Sequence, residues 1–418
     1  MLIFTILFFS KILCSEIIKL QFKEINKDLI SYDQDDVINN LRKNILQIDL
    51  IVGTPEKQLN IILRFDSYHF ALPSEQVKGN FEKLSESSST LIKCSENMTF
   101  INQYFTEGFL CKENFKFKNH NGKDIKINNF YFIYIIELCS EFPGILGLNL
   151  KPKPTDKIDE YNFINALKKL NIINSYCFTI IYEDKKGEII IGNRPHEYDK
   201  RYKKEYFIYF KSYYFDWGIK FNYVYINGKK ILVKDDEFSI LKIESRLISA
   251  PEYYKNYFDE LFKNYISQGL CFSKYSLSNY TYYYYCKTNK LVNFSSVYFE
   301  IDYPRFNFSL DKDDLFEKVN DFYYFAIIIR KLEKNWNFGK QIFQKYQFIF
   351  EQDKKIIGIY TKIEKQSSIG YILIIILIII ILILIVMIYR SYRKLPKYIK
   401  ASELIEEKLL SNEKKNNN

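Results

Sequence analysis

The sequence predicts an all-β protein built from two strand-rich units, followed by one membrane-spanning helix. Three observations carry this expectation. From Lys43 to Lys365, short apolar runs alternate with polar residues and are cut by turn residues, the pattern of many short strands. Ile369–Tyr389 holds 21 residues without a charge. At a rise of about 1.5 Å per residue that is about 30 Å, one hydrocarbon core. Six of the seven cysteines, Cys94, Cys111, Cys139, Cys177, Cys271 and Cys286, lie between the two ends. An even number in an oxidising compartment implies disulfides.

The ends set the compartment. Met1–Ser15 is an apolar run closing on small residues and reads as a secretory signal peptide. Residues 16–42 are polar and weakly periodic, an N-terminal segment and possible propeptide. Residues 43–195 and 196–365 form the two units, 369–389 the span and 390–418 the tail. Arg390, Arg393, Lys394, Lys397 and Lys400 follow the span at once, which puts the tail in the cytosol. The expected topology is a single-pass type I membrane protein with a lumenal or extracellular ectodomain. Part of the net charge of +10 is this cluster, suited to anionic headgroups. The rest is scattered among acids, and no basic stripe suggests nucleic acid.

The pairs Cys94–Cys111, Cys139–Cys177 and Cys271–Cys286 are expected, because the first and last close short loops. With no C-x-x-C and no H-E-x-x-H, no metal or cofactor is expected. His69, His120 and His196 support no hydrolase triad. Sequons at Asn97, Asn279, Asn293 and Asn307 are candidate glycosylation sites.

In chain order, Gln47–Val52 and Leu59–Leu63 read as strands around Gly53-Thr54-Pro55, with Phe70–Leu72 after a polar break. Asn97–Gly108 reads as a hairpin. Phe142–Leu150 carries two apolar residues before Gly147, which suits a strand close to another backbone. Phe163–Leu170 has helical spacing. Cys177–Tyr182 and Glu188–Asn193 form a hairpin. Phe215–Gly228 alternates and ends in an Asn-Gly turn. Tyr280–Cys286 is a strand with buried rings.

These segments resemble the pepsin-like aspartic proteases. In that family a Gly-Thr-Pro turn leads into Asp-Thr-Gly-Ser, an apolar pair and Pro. The Asp falls eleven residues after the Gly and nine before the Pro; from Gly53 and from Pro73 both counts end on Arg64. The second such Asp lies nine before Pro251, at Lys242. Gly144–Leu148 resembles the family's Gly-Ile-Leu-Gly-Leu element. Trp336, Phe338, Gly339, Phe343, Tyr346, Phe350 and Gly358 take the places of its closing segment. The flap Tyr of the family falls on Phe100, without the flap glycines. The resemblance covers roughly Asn44 to Lys362. It implies a bilobal fold of two pseudo-two-fold-related lobes and a peptide or protein ligand in the cleft between them.

The same resemblance removes the chemistry. The family works through two close carboxylates that share one proton, and aspartic proteases are the best-known example of such a pair. Arg64 has no acceptor and stays charged. Two cations about 4 Å apart would repel by about 4 kcal/mol at an effective dielectric near 20, so acids must compensate. Arg64-Phe65-Asp66 and Lys242-Ile243-Glu244 share one base-apolar-acid pattern, with Phe65 and Ile243 where the family has its bracing Thr. The four charges are expected to form a network between the lobes. Three functions follow: an inactive, membrane-anchored homologue that binds polypeptide or stands at a surface; an active endopeptidase using Asp66 and Glu244; and an unrelated all-β surface receptor.

Overall fold

Ile18, Leu20 and Phe22 alternate with polar residues and are buried, which makes Ile18–Glu24 a strand with one face in the core. In a computed structural model the structure describes residues 16–25, 33–79, 82–95, 98–99, 104–138, 143–150, 162–213, 216–288, 290–364, 376–390 and 404–408. Ile18–Glu24 lies between Leu46–Val52 and Lys186–Ile191, antiparallel to both. These strands belong to a fourteen-stranded sheet that also takes in Phe348–Glu351, Ile356–Tyr360 and Phe207–Lys211. It therefore joins elements from both halves of the chain. A nine-stranded and a four-stranded sheet, both built from the second half, complete the β structure of the described residues.

One construction occurs twice. Lys57–Arg64 runs parallel to Ile145–Gly147, with Arg64 opposite Gly147, and Phe70–Pro73 pairs antiparallel on the other side of Ile145–Gly147. Likewise Ser239–Leu241 runs parallel to Trp336–Phe338, and Ile248–Pro251 meets that strand antiparallel at Ser249 and Asn337. Gly follows or ends the crossing strand in both. A Cβ on Gly147 would lie 2.5 Å from the Ser67 carbonyl oxygen, and one on Gly339 2.5 Å from that of Leu247. No side chain fits at either place. The two loops so gripped carry the base-apolar-acid triplets.

The segment before Lys43 is part of this body, not an appendage to it. After Ile18–Glu24, helix Gln34–Leu41 starts at Asp33, whose carboxylate accepts the Asp35 amide. Its Val37, Ile38 and Leu41 pack against Leu247, Tyr283, Tyr324 and Ile328 of the second half. Such burial is worth roughly 1.5–3 kcal/mol per side chain before the cost of ordering. The alternation in IKLQFKE was the sequence signal for this strand.

Elsewhere the expected elements form close to their anticipated bounds: helix Phe163–Lys169, hairpin Cys177–Glu183 with Lys186–Ile191, and strand Thr281–Cys286 with Tyr283 and Tyr284 buried. At the Asn-Gly turn, Asn227 and Gly228 adopt φ of 52° and 72°, as a two-residue hairpin turn requires.

Of the disulfides, Cys271–Cys286 links register partners of neighbouring strands. The Cys94–Cys111 bond does not form; both are free thiols. The strand register puts Lys93, not Cys94, opposite Cys111. A one-residue offset turns a side chain to the other face, and Cys94 is exposed while Cys111 is buried. Cys177 is a buried free thiol, and Cys139 lies outside the described residues. So do Asn97, Phe100 and Met1–Ser15. Asn293 and Asn307 are exposed, whereas the Asn279 amide donates to Asn39 and Ser278.

Residues 363–418 form a unit of their own. Its described parts are a helix over 376–390 with exposed apolar side chains and a short helix over 404–408. No helix among the described residues is long and apolar enough to cross a membrane; residues 369–375 of the expected span lie outside them.

Candidate functional site in the cleft

The triplets Arg64-Phe65-Asp66 and Lys242-Ile243-Glu244 are fixed by their middle residues. Phe65 is buried and sits edge-on to Phe178, Phe343 and Phe350, with ring centres 6.2, 5.6 and 5.2 Å away. Ile243 is fully buried. Neither triplet is extended throughout: residues 65–66 form a bend, and Ile243 and Glu244 form a turn in which the Ser245 amide donates to the Lys242 carbonyl, and in both the base and the acid border the same cavity. Backbone bonds complete the grip: the Leu148 amide donates to the Arg64 carbonyl, the Lys242 amide to that of Phe338, and the Lys340 amide to that of Ser245.

Both tips border one cavity of about 490 Å³, lined by Arg64, Asp66, Tyr104, Lys242, Glu244, Ser249, Arg330 and Asn337, and by Arg42–Ile45. The four charges of the expected network do act on one another, but the close ion pair forms within one tip. Arg64 closes on the acid of its own tip: its Nε donates to Asp66 Oδ1 at 3.0 Å and a terminal nitrogen to Oδ2 at 2.6 Å. The fork-on-carboxylate geometry makes this the strong form of the ion pair. The Tyr104 hydroxyl donates to the same Oδ1 at 2.6 Å, and its ring lies 5.1 Å from the guanidinium carbon. Burial alone would raise the Asp66 carboxyl, but the bonds and charge of Arg64, with the Tyr104 hydroxyl, hold it below its usual range. Arg64 is correspondingly pushed up despite its burial.

Glu244 is treated in the opposite way. It is 9% exposed, and neither carboxylate oxygen has a hydrogen-bond partner among the described residues. Burial first, then the negative charge of Asp66, push it up to about 7; the charges of Arg64 and Lys242 pull the other way without winning. Glu244 is therefore a lone buried acid that titrates near neutrality.

The second tip is also braced by the N-terminal segment. The Asn44 amide donates to the Glu244 carbonyl, and the Asn44 side chain donates to the Ile243 carbonyl at 2.8 Å and to Tyr182 at 3.1 Å. Glu24, with a fully buried side chain, pairs with Arg246 and with Lys340, the latter at 3.0 Å. Burial would raise the Glu24 carboxyl, yet Lys340 and Arg246 hold it below its usual range.

Sequence reasoning found Arg64, Asp66, Lys242 and Glu244, and the structure brings all four to one cavity. It missed Tyr104, the ring that bonds Asp66, four residues beyond the Phe100 that counting indicated. It also missed Arg42–Ile45, Asn44 above all. The histidines make no triad: His69 is buried, which pushes it down to about 4, and its ring lies tilted against Tyr68, while His196 Nδ1 bonds Tyr360.

No curated protein matches the chain. Among solved structures it is similar to basic 7S globulin from soybean, at 13% identity and a TM-score of 0.59, over 83% of this chain and 97% of that one. At that identity the likeness speaks for the fold alone. The family described as eukaryotic aspartyl protease matches residues 47–362, from within Leu46–Val52 to just past Ile356–Tyr360. With the doubled strand construction and the two gripped tips, this match says that the chain belongs to the eukaryotic aspartyl protease family.

Proposed function

We propose that this chain is a membrane-anchored, catalytically inactive member of the family whose cleft holds polypeptide without cutting it. The observation that carries this is the state of Asp66. Both of its oxygens accept from Arg64, and one also from Tyr104. A dyad needs two carboxylates that share a proton and face one water. Asp66 is instead an ionised counter-ion, and the family's own Asp positions carry Arg64 and Lys242. The bilobal arrangement leaves the cavity between the tips as the place for a peptide. Anchoring is supported by the uncharged run 369–389, by the helix over 376–390 with its exposed apolar side chains, and by the basic residues that follow.

A specific observation favours a second function, endopeptidase action through Asp66 and Glu244. Their environments push one acid down and the other up, the signature of an acid and base pair. For that pair to act, Asp66 must leave Arg64. To test the first proposal, the full chain is mixed with an unfolded polypeptide at pH 4 and pH 7. Saturable binding with the polypeptide recovered at its intact mass is expected. Discrete cleavage products would reverse the proposal in favour of the second.

A further inference from the structure

We infer that the cavity between the tips is an anion site, in which Arg42, Lys242 and Arg330 hold a carboxylate side chain of an acidic polypeptide. This deepens the polypeptide-binding function proposed above and rests on it.

The charge count comes first. The cavity lining carries five bases, Arg42, Lys43, Arg64, Lys242 and Arg330, against two acids, Asp66 and Glu244, a net of +3. Asp66 is already committed to Arg64. Arg330 shares one terminal nitrogen with Glu333, but its Nε is buried without a hydrogen-bond partner. Arg42 and Lys242 make no ion pair among the described residues. Burial, and then the charge of Arg330, hold the Arg42 guanidinium below its usual range, and the opposing charge of Glu333 does not offset them.

Glu244 adds an independent observation. It is more than nine-tenths buried, lines the same cavity, and has both oxygens unpartnered. Buried polar atoms are normally satisfied, so such a group marks a place where a ligand completes the bonding. As a neutral acid Glu244 donates a hydrogen bond, which an incoming carboxylate accepts. Asn337 donates to Ser249 at 2.8 Å and leaves its own oxygen unpartnered beside it.

The site is consequently pH-dependent. The charged and titratable groups that line the cavity with Glu244 are Arg64, Asp66 and Tyr104 from the first tip, Lys242 from its own loop, Arg42 and Lys43 from the N-terminal segment, and Arg330; Asp66, Arg64 and Lys242 act on it most strongly. As pH falls through about 7 Glu244 loses its charge, and the net of the lining rises from +3 to +4. Peptide carboxylates, with ordinary values near 4, stay ionised in that range. Acidic ligands therefore bind more tightly on the acid side of neutrality.

The test uses the full chain in detergent at low salt, with a labelled Glu-rich peptide, the same peptide with Gln for Glu, and inorganic phosphate. The Glu peptide should bind at least about tenfold more tightly than the Gln peptide, and about threefold or more tightly at pH 6 than at pH 8. Lys242→Gln and Arg42→Gln should each weaken it by about threefold to tenfold with Tm unchanged. Glu244→Gln should flatten the pH response. Equal binding of both peptides overturns the acidic preference and leaves polypeptide binding standing. Binding of neither peptide overturns both, and phosphate binding without peptide binding shows a small-anion site only and also overturns both.

Discussion

Arg64-Phe65-Asp66 and Lys242-Ile243-Glu244 repeat one charge pattern on one strand construction, yet they are stabilised from different directions. The first tip is closed within its own half of the chain: Arg64 takes Asp66, Tyr104 takes the same carboxylate, and Leu148 takes the backbone. The second draws its support from the N-terminal segment, through Glu24 on Arg246 and Lys340, and Asn44 on Ile243 and Glu244. One acid ends satisfied and the other unsatisfied. Two like tips thus pose different electrostatic problems, and the fold resolves each with whatever lies nearest.

Removing the brace should do the most damage. Glu24→Ala leaves the buried Arg246 and Lys340 without their shared partner and should cost about 3–5 kcal/mol in urea unfolding at pH 7. Because the Glu24 carboxyl is held below its usual range, its contribution is present above that range and lost as pH falls through the lower folded value. The gap between variant and parent should therefore narrow in acid. A cost under about 1 kcal/mol would mean that the segment before Lys43 is dispensable to the second tip.

Glu244→Gln should act in the opposite sense. A carboxyl raised from 4.5 to about 7 in the folded state is neutral at no cost below its ordinary value, and its burial weighs against folding as pH rises through about 7. The variant should gain about 2–3 kcal/mol at pH 8 and nothing at pH 4. A gain equal at both pH values would show that charge burial is not the cause.

Asp66→Asn probes the first tip. Loss of the charged partner of Arg64 should cost about 1–3 kcal/mol. It also removes the negative charge that raises Glu244, so the titration of Glu244, followed by carboxyl NMR, should move below 7. An unmoved Glu244 would separate the two tips completely. The smallest effect is expected of Tyr104→Phe, about 0.5–1.5 kcal/mol, since only one hydrogen bond is lost.

Much of this was legible in the chain. The resemblance to the aspartic proteases placed Arg64 between Gly53 and Pro73 and Lys242 before Pro251, by the family's own counts from those turn residues. Gly147 was readable as a close crossing, and its Cβ clearance bears that out. Pairing partners were less so. Both charged triplets were visible, but not that Arg64 would choose Asp66, two residues away, over an acid across the cleft. The register that separates Cys94 from Cys111 depends on how Ile92–Lys93 meets Phe105–Asn119, a tertiary choice. In residues 16–42 the alternation of Ile18, Leu20 and Phe22 carries the strand signal, and the charged residues interleaved with it mask the pattern.

The most direct test of the account is endopeptidase activity of the purified full chain on an unfolded protein from pH 3 to pH 7, with and without pepstatin. No pepstatin-sensitive cleavage is predicted at any pH, because Asp66 remains the ionised partner of Arg64 throughout the range where Glu244 could give or take a proton. Cleavage that pepstatin blocks, and that disappears in both Asp66→Asn and Glu244→Gln, would contradict it.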